Sequence, residues 1–437
     1  MSFSTARLTH VSLASLVVLV LACRPTVPSD VPGAEHESSI AAASASTNES
    51  LDGLESEEPL PNLRESAEAE PDLIPEPVAP ARAWPPLPET CPEDAPRRII
   101  LMIGDGLGPV QVEAAGVFAH GEAGSLSFES LPHAGMVSTR SANNQITDSA
   151  ASATAMATGR KVNNLVVSLD LPGEEGPVET ILQTLQRHCE RRTGVVVTST
   201  IVHATPAAFV AHNRSRNAYH EIAKDLFELT RPHVAIGGGG SSTPPELAAN
   251  NGYHVITDRA GFEAFDRSSD QPVAALFGSS HLPYARTGDG AFPSLREMSL
   301  FALDVLDQSE SGFFLMIEGA RIDHAGHDNV VEDMVFETVE FHHAAEAVIA
   351  WVAENSEDTL LIVTSDHETG GMAIVEHHGQ GVYPTVTWST GHHTDVDVPY
   401  YAIGPGADRI PPLIDNTDIY RIMMGRLDEI VPREPAE

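Results

Sequence analysis

Short apolar runs alternate with helical patterns along residues 98–403, the signature of parallel strands joined by crossover helices. The runs at 98–103, 195–198, 233–236, 313–317, 359–364 and 400–403 predict strands, largely apolar as strands buried on both faces are. Helical stretches fall at 149–158, 178–190, 218–229, 295–308 and 331–354. In the last of these Met334, Val335, Val339, Ala345, Val348, Ile349 and Val352 approximate one apolar face. No internal repeat interrupts the alternation. The pattern predicts an α/β fold for residues 91–437: a doubly wound, largely parallel central sheet with helices on both faces.

The first 90 residues read differently. Arg7 precedes the apolar run 11–21, too short for a secure transmembrane helix, so residues 1–23 read as an export segment. The run ends Val20-Leu21-Ala22-Cys23, which resembles a bacterial lipobox and would make Cys23 the lipidated first residue of a membrane-anchored, periplasmic or cell-surface protein. An ordinary cleaved signal is the alternative. Residues 24–90 turn to Pro, Ser, Ala and Glu, a composition that cannot bury enough apolar surface to offset its ordering entropy. They read as a disordered acidic tether, with a partner-binding acidic tail as the alternative.

Charge narrows the partners. Against 62 Asp and Glu stand 25 Lys and Arg, a formal charge of −37, which excludes broad nucleic-acid binding by charge. Two cysteines remain beyond Cys23. Cys91 and Cys189 each precede a predicted strand and can form a bridge if those strand starts are neighbours; two free thiols are the alternative.

The unusual polar residues fall at predicted strand C-terminal ends: Asp105 after 98–103, His203 and Thr205 after 195–198, Glu318 after 313–317, and Asp366 and His367 after 359–364. In an open α/β sheet those ends share one edge, where ligand sites gather. Asp323 and His327 add an i, i+4 pair, adjacent if the backbone there is helical. Four carboxylates close together would repel unless cations neutralise them. Mixed Asp and His ligands favour zinc or a similar metal, whereas a hydroxyl with carboxylates, such as Thr205 with Glu318, favours magnesium. For any one of these residues a satisfied, partly buried polar group is the competing account. Ser149, opening the small-residue run 149–158, is the candidate nucleophile, with a plain capped Ala-rich helix as the alternative.

These residues stand in Met102-Ile103-Gly104-Asp105-Gly106, Thr147-Asp148-Ser149-Ala150-Ala151, His203-Ala204-Thr205-Pro206, Glu318-Gly319-Ala320-Arg321-Ile322-Asp323-His324-Ala325-Gly326-His327, Thr364-Ser365-Asp366-His367-Glu368-Thr369-Gly370-Gly371 and Gly391-His392-His393-Thr394. In identity and order they resemble the alkaline phosphatase family. The resemblance implies hydrolysis of phosphate monoesters with Ser149 phosphorylated during turnover. It implies one Zn2+ on Asp323, His327 and His393, a second on Asp105, Asp366 and His367, and Mg2+ on Asp105, Thr205 and Glu318. His393 is preferred to His392, and Arg216 to Arg214 as the arginine that clamps phosphate. Family members are often homodimers. Two positions depart from the best-studied bacterial pattern: His203 stands in place of Asp and His324 in place of Lys, as in animal-type and some other bacterial members. His203 can bind the third ion directly, which leaves that ion open between magnesium and a transition metal; His324 can reach phosphate through water.

Competing functions are a phosphodiesterase of the same superfamily and a tethered metal- or phosphate-binding protein without catalysis. A sulfatase is disfavoured, since no Cys or Ser is followed by the required Pro and Arg. Residues 237–240 read as a glycine turn and not a nucleotide loop, because no Gly-Lys-Ser or Gly-Lys-Thr follows. His342-His343 and His377-His378 are not expected to be ligands.

Overall fold

The computed structural model describes residues 91–433 except residue 356. The export segment with Cys23 and the tether 24–90 lie outside them. Among the described residues no helix is long and apolar enough to cross a membrane.

Among the described residues fourteen strands follow one another as β1 (Arg98–Gly104), β2 (His133–Ser138), β3 (Arg192–Thr200), β4 (Val234–Gly238), β5 (His254–Ile256), β6 (Val273–Phe277), β7 (Phe313–Gly319), β8 (Thr359–Thr364), β9 (Glu368–Thr369), β10 (Met372–Glu376), β11 (Thr385–Trp388), β12 (His393–Thr394), β13 (Val398–Ile403) and β14 (Leu413–Asp415). Ten of them build one sheet in the order β14-β2-β13-β8-β1-β7-β3-β4-β6-β5. The central strands are apolar on both faces because each face carries a helical layer. In β1, Ile99, Leu101 and Ile103 pack with helices Ser149–Thr158, Ile181–Cys189 and Ala204–Val210. Ile100 and Met102 point the other way, towards helices Pro109–His120, Leu295–Leu306 and Val331–Glu354.

β1 pairs in parallel with β7 and β8, and β7 with β3, as expected of crossover connections. The run at 400–403, expected as another parallel strand, is instead the end of β13, antiparallel to both β8 and β2. Its direction follows from the connection. Between β8 and β13 no helix carries the chain back across the sheet; only the short strands β9 to β12 intervene, so β13 starts at the edge where β8 stopped. The expected helix 178–190 begins at residue 181, where Thr180 accepts from the Gln183 amide and the Gln183 side chain accepts from the Thr180 amide. Residues 225–230 extend the helix Tyr219–Lys224 as a wider π turn.

Cys91 and Cys189 form a disulfide, with their Cα atoms 4.9 Å apart. The starts of the two strands they precede are not neighbours: Arg98 of β1 and Arg192 of β3 both register on Phe313 of the intervening β7. The segments leading into those strands close the gap.

Candidate active site

Register brings the predicted residues to one edge. Ile103 and Val197 flank Glu318, which lies within β7 rather than beyond it, while Asp105 and Asp366 follow the ends of β1 and β8. The turn after β1 requires glycine at 106: φ is +77°, and a Cβ there would stand 2.7 Å from the Asp323 Cα. The chain around Asp323 is helical, Arg321–His327, which makes the i, i+4 pair adjacent, with His327 Nε2 3.4 Å from Asp323 Oδ1.

Three groups of ligating atoms result. His393 Nε2 is 3.5 Å from Asp323 Oδ1 and 3.1 Å from His327 Nε2. Both rings place Nδ1 2.8 Å from a backbone carbonyl, of Gly391 for His327 and Thr147 for His393, so in the neutral, metal-ligating ring Nδ1 carries the proton and Nε2 offers its lone pair beside Asp323. In the second group His367 Nε2 stands 3.6 Å from Asp105 Oδ1 and 3.3 Å from Asp366 Oδ2. The third combines Asp105, His203 and Glu318. Thr205, on the helix Ala204–Val210, lies close enough to Glu318 to lower its pKa, but no partner meets its buried Oγ1 in full hydrogen-bond geometry. His392 stays outside this constellation.

The groups fit divalent ions. A tetrahedral ion with bonds of about 2.0–2.1 Å keeps its ligands roughly 3.4 Å apart, the spacing found in the first two groups. Both oxygens of Asp105, Asp366 Oδ2, Glu318 Oε1, Thr205 Oγ1 and His203 Nδ1 are buried without a hydrogen-bond partner, a cost a protein tolerates when something else meets those atoms.

Electrostatics agree. Burial, then repulsion from Asp366, Asp323 and Glu318, pushes Asp105 well above the usual carboxylate range. Burial and Asp366 push Glu318 up to about 8, and burial and Asp323 push Asp366 up to about 7. Burial also opposes the charge on Asp323, but its contact with His393 and the charge on His327 outweigh it, so Asp323 is driven down. His393 rises in turn, because Asp323 more than offsets burial. Burial holds His203 and His367 well below their ordinary value, and His324 down to about 3.

Ser149 is the first residue of helix Ser149–Thr158, whose Asp148 cap accepts from the Ala151 amide. Its Oγ lies 3.2 Å from His367 Nε2 and 3.5 Å from Arg216 Nη1. Arg214 points elsewhere, to an exposed pairing with Glu175. His324 packs edge-on to His203, with ring centroids 5.5 Å apart. A cavity of about 330 Å³ under residues 282–295 contains none of the predicted site residues, so the site is defined by its clustered side chains rather than by that cavity. Sequence reasoning missed His281, 4.6 Å from His324 between ring centroids, and did not foresee that Asp148 also pairs with Arg216 at 3.1 Å.

The sequence pattern of the family described as alkaline phosphatase matches residues 96–242 and 243–385. The chain belongs to the alkaline phosphatase family. Alkaline phosphatase 4 of Bacillus subtilis (strain 168) is 30% identical over 406 residues, 74% of this chain and 87% of that enzyme. The cold-active alkaline phosphatase of a psychrophilic Shewanella has the same architecture, with a TM-score of 0.69 and 31% identity over 76% of this chain and 99% of its own. A His-to-Asp variant of the TAB5 alkaline phosphatase, with Mg bound in its M3 site, gives a TM-score of 0.67 and 28% identity over 77% of this chain and 99% of its own. This alkaline phosphatase is therefore a phosphatase with metal sites.

Proposed function

We propose that the chain hydrolyses phosphate monoesters by two in-line displacements through a phosphoserine at Ser149. The Ser149 Oγ attacks phosphorus as the bond to the ester oxygen breaks; the hydroxyl proton is given up to solvent, and the leaving alkoxide takes one up and departs as the alcohol. Water then attacks the phosphoserine from the opposite side, releasing inorganic phosphate and restoring the hydroxyl. Arg216 donates two parallel hydrogen bonds to phosphate oxygens, which orients the phosphoryl group and offsets its charge. Zn2+ on Asp323, His327 and His393, Zn2+ on Asp105, Asp366 and His367, and a third ion, Mg2+, on Asp105, Thr205 and Glu318 with His203 beside it, would activate hydroxyl and water and neutralise charge in the transition state. The helix start at Ser149 adds its positive dipole end. His324 would reach phosphate through water.

The observation that carries this reading is the position of the Ser149 hydroxyl, between Arg216 Nη1 and His367 Nε2, whose own neighbours Asp105 Oδ1 and Asp366 Oδ2 are buried without partners. A binding protein needs no such hydroxyl. The export segment and Cys23 would put this activity outside the cytoplasm on a lipid anchor.

The test is acid quenching during turnover of a labelled monoester, followed by peptide mapping. Label is expected on Ser149, and Ser149→Ala should lose about 10³-fold or more in turnover. Unlabelled Ser149 together with wild-type turnover in the alanine variant would overturn the proposal.

A further inference from the structure

His281 lies four residues beyond β6, outside every motif that marks the site, yet it joins two of the site's histidines. Its Nδ1 accepts the Thr200 amide proton at 3.1 Å, so the neutral ring carries its proton on Nε2. Thr200 ends β3, and its carbonyl accepts from the His203 amide at 2.9 Å. Thus one backbone unit links His281 to the turn that presents His203. The rings meet as well. His281 stands 5.3 Å from His203 at 88° and 4.6 Å from His324 at 68°, and His203 stands 5.5 Å from His324 at 88°. Three imidazoles therefore pack edge to face in a closed triangle.

The loop carrying His281 is pinned on both sides. The Leu282 amide donates to the Thr198 carbonyl at 2.9 Å. Arg321, two residues before Asp323, donates to the Leu282 carbonyl at 2.7 Å and lies 3.8 Å over the Tyr284 ring. The Ala320 amide donates to Thr198 Oγ1 at 2.9 Å, closing the circuit. Neither rotation of His203 about its side chain nor a shift of the helix Arg321–His327 can occur without disturbing His281.

The geometry points to His281 as a positioning residue that fixes the ring orientations of His203 and His324 and thereby sets how tightly the Asp105–His203–Glu318 group holds its ion. This rests on the reading that the group binds a divalent cation. His203 makes no hydrogen bond through Nδ1, so its orientation depends on ring packing and on the turn behind it. Partners of this kind affect metal affinity by about 10- to 100-fold when removed.

The full chain, stripped of metal and reloaded with Zn2+, would be titrated with Mg2+ and its metal counted. His281→Phe keeps a ring in the triangle but loses the acceptor for Thr200. His281→Asn keeps an acceptor near the place of Nδ1 but loses the ring. Both are expected to weaken Mg2+ uptake about 10-fold or more while zinc stoichiometry stays as in the wild type. A purely structural role would instead lower the melting temperature and leave Mg2+ affinity alone. If the phenylalanine variant does not fold, the asparagine variant decides. Wild-type Mg2+ affinity in the folded variants, with Glu318→Gln abolishing that uptake, overturns this inference alone. No Mg2+ uptake by the wild type beyond zinc overturns the third-ion reading and this inference with it.

Discussion

Arg216 Nη1 donates to Asp148 Oδ2 at 3.1 Å while standing 3.5 Å from the Ser149 hydroxyl. One carboxylate thus caps the helix that begins at Ser149 and steers the guanidinium towards the same serine. Arg216→Lys keeps the charge but not the planar fork. The expected result is a fall in kcat/KM of about 10- to 100-fold, the scale of one or two hydrogen bonds to a charged group, with weaker inhibition by inorganic phosphate. Steady-state kinetics with added phosphate would check it.

The metal-stripped protein should lose stability as pH rises from about 6.5 to 8. In that window the unfolded chain has ionised Glu318 and Asp366, whereas the folded chain still holds protons there, up to about 8 and about 7. The folded state binds more protons, so stability falls by about 1.4 kcal/mol per pH unit for each proton retained. His393, raised by Asp323, acts in the same direction. Below about 6.5 the buried neutral histidines, such as His233 at about 4, reverse the trend, because the unfolded chain then binds the extra protons. Thermal melts of chelated protein across pH should peak near the lower end of the window. Zinc should remove the alkaline decline.

His203→Asp would put a third carboxylate beside Asp105 and Glu318. Hard oxygen ligands favour Mg2+ over Zn2+, so the variant should shift its third-ion preference towards Mg2+. Competitive loading followed by metal counting would show it.

Cys91 and Cys189 close a loop with a sequence separation of 98 residues. Breaking the bridge by Cys189→Ser should cost about 2–5 kcal/mol in urea unfolding. Activity of the folded protein should stay near wild type, because the bridge is at the edge where the strands start. In the wild type Cys91 and Cys189 should resist alkylation until a reductant frees their thiols.

Much of the site was legible because strands were. Asp105, Glu318 and Asp366 sit at ends of strands whose unbroken apolar runs announce themselves, and a shared sheet edge follows from parallel pairing. Reversal of β13 was not legible, since a run such as Tyr400 to Ile403 carries no mark of direction. His281 escaped for a related reason. The preceding β6, Val273–Phe277, reads Val-Ala-Ala-Leu-Phe, short and alanine-containing. Had it been taken as a strand, His281 would have fallen just past its end, like the residues that were found. Whether His392 or His393 faces Asp323 depended on a two-residue strand, β12, too short for periodicity to fix its phase.

The disulfide has a bearing on orientation as well. It fastens the beginning of the described chain to the edge where β1 and β3 start, whereas Ser149 and its neighbours lie at the opposite edge, a strand of seven residues or roughly 20 Å away. The bridge and the reactive groups therefore face opposite ends of the strands, so the covalent brace takes no part in shaping the site.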